Sequence, residues 1–162
     1  MAQVDYFLKL EGIDGESTDH KHKGEIQIES WSWGETNSGT HGSGGGGGAG
    51  KVQMQDVHFT SKINKSSPIL ALRCASGEHI KKATLTCRKA GKDQQEFLKL
   101  SFEDLIISSF QVGGSGHSDV IPVEQVSFNF ATIEVEYKEQ KADGTLGAAT
   151  KGDWNVTTNK RK

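Results

Sequence analysis

The chain has 162 residues, a formal charge of −2, 20 glycines and only 2 prolines, and 33% of it is hydrophobic. That length supports one domain with one core. The slight negative charge and scarce proline exclude a basic nucleic-acid binder and a disordered proline-rich chain, and so much glycine with so little apolar content suits strands and turns better than a helix bundle.

The opening residues, Met1-Ala2-Gln3-Val4-Asp5-Tyr6-Phe7, have neither a basic n-region nor an apolar h-region, so no signal peptide is read there. No apolar run approaches the length of a membrane span. These features predict a protein made in the cytoplasm, not inserted in a membrane, and exported by another route if at all. Cys74 and Cys87 both lie in apolar surroundings. Buried free thiols and a disulfide between them are both open.

Val4 to Leu10 reads as a strand, with Tyr6, Leu8 and Leu10 on one face and Asp5, Phe7 and Lys9 on the other. Residues 12–24 read as a polar, solvated loop. His20 and His22 stand two apart in it, but no cysteine or carboxylate set accompanies them as a metal site requires. A second strand carries Ile26 and Ile28, then Trp31 and Trp33, out of phase with the isoleucines. Burying all four requires one extra residue, which predicts a β-bulge near Glu29–Ser30 and a bent sheet.

An extended glycine-rich loop follows over 34–50. Gly45-x-x-x-x-Gly50-Lys51 matches the first seven positions of a phosphate-binding loop. Val52 stands where Ser or Thr should hold magnesium, and Val52, Gln53, Met54 and Gln55 alternate as a strand instead of opening a helix. The strand is expected to run over 51–59. Five consecutive glycines, Gly44, Gly45, Gly46, Gly47 and Gly48, cost entropy to order. The stretch is therefore expected to gain its order from outside the subunit.

One helix is predicted, with Ser67 as N-cap, Pro68 at its first position and Gly77 as its stop. Ile69, Leu70, Ala71, Leu72 and Cys74 make it apolar nearly all round, which predicts cover by more than one neighbour. Ala83, Leu85 and Cys87 then face inward from a strand whose Lys82, Thr84, Thr86 and Arg88 face outward, and residues 90–93 turn. Leu98, Leu100 and Phe102 face inward until the phase is lost at Leu105 and Ile107. The longest strand runs from Val123 to Tyr137, its inward set switching from Val126, Phe128 and Phe130 to Ile133, Val135 and Tyr137. Trp154 to Thr157 supplies a last strand. The pattern predicts a mainly-β fold, a curled sandwich or small barrel with one flanking helix, in a single domain over 1–162.

Ser30, Ser32, Thr84, Thr86, Ser101, Ser127, Asn129 and Thr132 fall on the outward faces. A freely solvated sheet more often carries long charged side chains. An ordinary polar face and a wall close to another surface, or lining a wetted pore, both accommodate this set. No catalytic constellation emerges: Gly113-Gly114-Ser115-Gly116-His117 lacks the strand–turn–helix context of a nucleophile elbow. Neither a cofactor nor a metal site is read.

Several segments taken together resemble one family. They are Trp31-Ser32-Trp33-Gly34, the glycine run ending Ala49-Gly50-Lys51-Val52, Gln55-Asp56-Val57 with Phe59-Thr60 and Lys62, Lys65-Ser66-Ser67-Pro68, Ala83-Thr84-Leu85-Thr86 with Arg88-Lys89-Ala90-Gly91, Asn129-Phe130-Ala131, and Gln140-Lys141-Ala142-Asp143-Gly144. In this order they are similar to the haemolysin-coregulated proteins (Hcp), tube subunits of the bacterial type VI secretion system, over nearly the whole chain. The resemblance implies a β-barrel with a flanking helix, six copies closed into a ring, and rings stacked into a tube. It further implies a contractile sheath around the tube, a baseplate, a spike protein at its tip, and effector proteins carried inside, so that the tube ends up secreted or delivered into a target cell. The loop containing Gly44–Gly48, Ala49, Gly50 and Lys51 is implied to take part in contacts between rings, and Ser30 and Ser32 are expected to face the lumen and its cargo. Two other readings stay open: a monomeric ligand- or carbohydrate-binding β-domain, and a nucleotide hydrolase.

Overall fold

The computed structural model describes residues 4–39, 50–90, 93–117 and 120–162. It is mainly β, with one helix among the described residues. An eight-stranded antiparallel sheet runs in the order β2 (Ile26–Ile28), β1 (Val4–Leu10), β7 (Ile80–Lys89), β8 (Glu96–Gly113), β9 (Val123–Gln140), β6 (Val57–Lys62), β3 (Ser30–Ser32), with β10 (Leu146–Asn155) also on β9. The two end strands, β2 and β3, are consecutive in the chain and separated only by Glu29. The sheet therefore curls until its ends meet along one segment, wrapping Leu8, Leu85, Leu100, Phe102, Phe128 and their neighbours into one core.

The phase change between Ile28 and Trp31 thus has a different cause from the bulge expected there. At Glu29 the chain stops pairing with β1 and starts pairing with β6, its N–H donating to Thr60 O at 2.8 Å. The strand expected over 51–59 is also two. β4 (Glu35–Asn37) and β5 (Val52–Met54) form a separate two-stranded ribbon, and pairing with the main sheet resumes only at Val57.

β8 and β9 pair along almost their whole length and change phase together. Phe102 lies opposite Ile133, both inward, and after two residues on each strand Leu105 lies opposite Phe130, inward again. Asp104 at this point has φ +56°, a left-handed conformation rare for a residue other than glycine. It bends the strand and sends its carboxylate to His79 Nδ1 at 2.5 Å.

The helix, α1 (Ser67–Ser76), has Ser66 at the N-cap, one residue before the expected Ser67, and stops at Gly77, whose φ of +70° is the left-handed cap expected of it. The cover by more than one neighbour expected of it is incomplete among the described residues. Leu70 is fully buried, but Ile69 and Leu72 are 38% and 63% exposed. The helix lies against β8 on one side, and its other side is outside the core.

The loop over 12–24, expected to be solvated, packs back on the sheet. Its Asp19 takes two hydrogen bonds from Arg88, at 2.8 and 2.9 Å, and Asp5 takes a third. Arg88, expected to face solvent, is only 3% exposed and lies 4.7 Å over the Phe7 ring. The hydrogen bond from Arg88 holds the Asp19 carboxyl well below the usual carboxylate range, and Asp19 in turn raises Arg88 further. His22 stacks on Phe7 with ring centroids 4.4 Å apart and bridges Glu25 and Glu96 at 2.8 and 2.7 Å. Phe7, Thr86 and Arg88 are thus buried on the outer side of the sheet, under a lid of ion pairs.

Cys74 and Cys87 are both free, which settles the question left open by composition. Burial pushes the Cys87 thiol up to about 12.

Candidate assembly and cargo surface

Four strands lie side by side in the order β3, β6, β9 and the second half of β8, and their register builds two cross-strand rows. Ser30 faces Thr60, Thr60 faces Gln125, and Gln125 faces Gln111. One step along, Ser32 faces His58, His58 faces Ser127, and Ser127 faces Ser109. Side chains directly opposite on antiparallel strands share a face, so these eight residues form one wall. No acidic or basic residue enters it except His58.

Hydroxyls bond within each row. Ser30 Oγ and Thr60 Oγ1 are 2.6 Å apart, and Ser127 Oγ lies 2.8 Å from Ser108 Oγ and 2.5 Å from Ser109 Oγ. Ser108 donates to Asp56 Oδ2 at 2.5 Å. A shallow groove of about 550 Å³ runs along the wall, with Trp31, Phe59 and Phe110 among its lining. These hydroxyls bond to one another and to a carboxylate; among the described residues no imidazole is hydrogen-bonded to them as an acyl-transfer nucleophile needs.

Both sides of the wall end in strand edges without a strand partner among the described residues. β3 pairs only with β6, and β8 loses β7 after Leu105, leaving 106–113 paired on the β9 side alone. Such edges are templates for another chain.

Of the residues expected from sequence, Ser30 and Ser32 lie on this wall, exposed, on its β3 edge. Ser127 belongs to it but is buried within the hydroxyl network. Thr86 and Thr132 are buried and, with Thr84 and Ser101, stand on other parts of the sheet. His58, Thr60, Ser109, Gln111 and Gln125 were missed. The signal for them was present as alternation in β6 and β9, but assigning them to one surface needs the pairing order.

The ribbon β4–β5 flanks the glycine-rich stretch on its two sides. Asn37 Nδ2 donates to Gly50 O at 2.8 Å across its neck. A Cβ at Gly50 would stand 2.5 Å from Ser38 O, so no larger residue fits there unless the neck opens. Lys51 is exposed, and Gly44–Gly48 and Ala49 lie outside the described residues. So do Gly91 and Lys92 of the turn expected over 90–93.

A curled mainly-β subunit with an uncharged wall between two unpaired edges has the makeup of a tube protein. Comparison with known proteins agrees. The family model described as "Type VI secretion system effector, Hcp" matches residues 7–137. Protein hcp1 of Pseudomonas aeruginosa is 48% identical over 158 residues, which cover 96% of this chain and 97% of that protein. The crystal structure of Hcp1 from Salmonella typhimurium is 35% identical, with a TM-score of 0.81 over 99% of this chain and 100% of that one. A structure described as a type six secretion system protein is 31% identical, with a TM-score of 0.92 over 98% of this chain and 99% of that one. The chain belongs to the Hcp family of the type VI secretion system. It is a tube protein, and no helix among its described residues is long and apolar enough to cross a membrane.

Proposed function

We propose that six copies of this single-domain chain close into a ring, that the uncharged wall lines its lumen, and that stacked rings form the tube a contractile sheath expels. Spike, baseplate and effector proteins are the partners, and the tube is secreted or delivered with its cargo. The role is mechanical and carrier-like, without a reaction centre. One observation carries the reading: a four-strand wall of hydroxyl and amide side chains, bordered on each side by an edge without a strand partner among the described residues. Joining the β3 edge of one copy to the β8 edge of the next is a heterologous contact, which closes into a ring when its rotation divides a full turn. Uncharged hydroxyls and amides hold a cargo surface without committing to its sign of charge, and Ser30 and Ser32 are placed to touch it. The loop containing Gly44–Gly48, Ala49, Gly50 and Lys51 lies between rings in this reading.

Electron microscopy of the purified protein tests the first step. Six-fold rings with a central hole are expected, and a single subunit at high concentration would sink the proposal. Ser32→Gln is expected to keep the ring and reduce retention of a co-expressed effector. Bulky residues at Gly46–Gly48 are expected to leave folding intact and shorten tubes.

A further inference from the structure

The chain between β6 and β7 travels along the wall. β6 ends at Lys62, level with Val123 and Gly113, and β7 begins at Ile80, level with Leu105. α1 occupies the interval between, and the strand it lies against is β8. Over that same interval β8 has no strand partner on its β7 side among the described residues. The helix thus runs beside an open strand edge. Leu70 and Cys74 hold it on the core side of β8, with Ile107 and Phe110, and Ser109 and Gln111 face the other way into the wall.

The helix turns an uncharged strip outward. Pro68, Ile69, Leu72 and Ala75 are all exposed. Spacings of three and four residues place them on one face. A helix face left to water normally carries charged side chains. The one charged residue of α1, Arg73, is occupied by the His79 carbonyl and by Glu78. The strip and the apolar β8 edge beside it form one continuous surface.

We propose that the Ile69–Leu72 strip of one copy is covered by the Trp31 side of the next copy in the same ring. The inference rests on the ring reading above and names a contact behind the wall, separate from the backbone pairing of the edges. Neighbouring strands lie about 4.8 Å apart, and a helix with its side chains is about 10–12 Å across. A helix resting on the last strand therefore overhangs the place that the next strand takes. A second copy is the occupant because its β3, joined to the β8 edge, enters that place. Side chains alternate across a sheet. With Ser30 and Ser32 continuing the wall, Trp31 points to the α1 side. In its own copy Trp31 is half-buried and meets Tyr6 edge-on, with ring centroids 6.3 Å apart. The contact uses two different patches, so it repeats around the ring with every copy giving one and receiving one.

The test uses the full chain at a series of concentrations, with ring formation read by sedimentation and electron microscopy. Leu72→Glu is expected to leave thermal unfolding of the dilute subunit unchanged and to raise the concentration needed for rings by at least about tenfold, because the joint would bury an unpaired carboxylate. A second variant reads the cover directly. The thiol introduced by Leu72→Cys is expected to react with an alkylating reagent at least about tenfold more slowly in rings than in dilute subunits, followed by peptide mass spectrometry. Rings of Leu72→Glu forming at the unaltered concentration would overturn the inference. So would a thiol equally reactive in both states, which would leave the strip to another partner, or unfolding of the dilute Leu72→Glu subunit, which would mean that the chain already covers the strip itself. An unaltered chain that stays single at every concentration would overturn the ring reading, and this inference with it.

Discussion

Arg88, 3% exposed, is held by Asp5 and Asp19 and lies over Phe7, while the two carboxylates keep some contact with solvent. Removing one partner of a buried pair leaves a charge uncompensated, the costly case. Asp19→Asn is therefore expected to destabilise the subunit by about 2–3 kcal/mol near neutral pH, somewhat less than a complete break because Asp5 remains. The pH dependence has a definite sign. Asp19 is held below its ordinary value in the folded chain, so its contribution is fully present above the unfolded carboxylate value of about 3.9 and is lost as pH falls through the folded value. Urea unfolding of both proteins at several pH values checks this: the gap is expected to be constant at neutral pH and to narrow only below about pH 4. Cys87 gives a second prediction at this scale. With its thiol pushed up to about 12 and the side chain fully buried, a thiol-alkylating reagent at pH 7.5 is expected to leave it unmodified in the folded protein. Peptide mass spectrometry showing Cys87 labelled as fast as Cys74 would contradict the burial.

Among the elements, α1 shows how far local pattern reaches. Its Pro68 and its glycine stop at Gly77 were legible because caps are local events, satisfied within a few residues. Its surroundings were not legible, because an apolar run states what wants cover and not whether this chain supplies it. Leu70→Ala is expected to cost roughly 2–5 kcal/mol in the isolated subunit, and Leu72→Ala less than about 0.5 kcal/mol, by thermal or urea unfolding. Equal costs would show that the helix is covered on both sides. The 12–24 loop escaped sequence reading for a related reason. Asp19 meets a partner 69 residues away and His22 one 74 residues away, and no periodicity encodes such distances. The phase break at Glu29 was visible as a slip between Ile28 and Trp31, but a bulge and a change of partner strand leave the same mark. The wall was half legible: Ser30 and Ser32 sit where alternation put them, whereas His58, Gln111 and Gln125 join them only through the strand order.

For the molecule as a whole, the two wall edges hold no ionic groups. β3 is Ser30-Trp31-Ser32, and the open part of β8 runs Ile106-Ile107-Ser108-Ser109-Phe110-Gln111-Val112-Gly113. Backbone pairing along such edges owes little to Coulomb attraction, and salt screens only the latter. Ring assembly is therefore expected to survive a rise from about 0.1 M to 1 M salt, where the Debye length shrinks from roughly 10 to 3 Å. Sedimentation showing rings dissolving into subunits would mean that charged surfaces elsewhere hold the copies together.

The pairing of β8 with β9 has a mechanical consequence. Each strand spans 18 residues, and the pair runs from the wall into the rest of the sheet with a bend at Asp104 and a register shift between Ile107 and Ser109. A thrust delivered along these strands loads their cross-links in shear, all at once, whereas a pull across them would open the links one after another. Forced-unfolding measurements with handles at the two ends of β8 should record far higher rupture forces than handles placed to peel β10 away. A protein driven forward as a rigid projectile would then take its stiffness from the direction of its longest hydrogen-bonded pair.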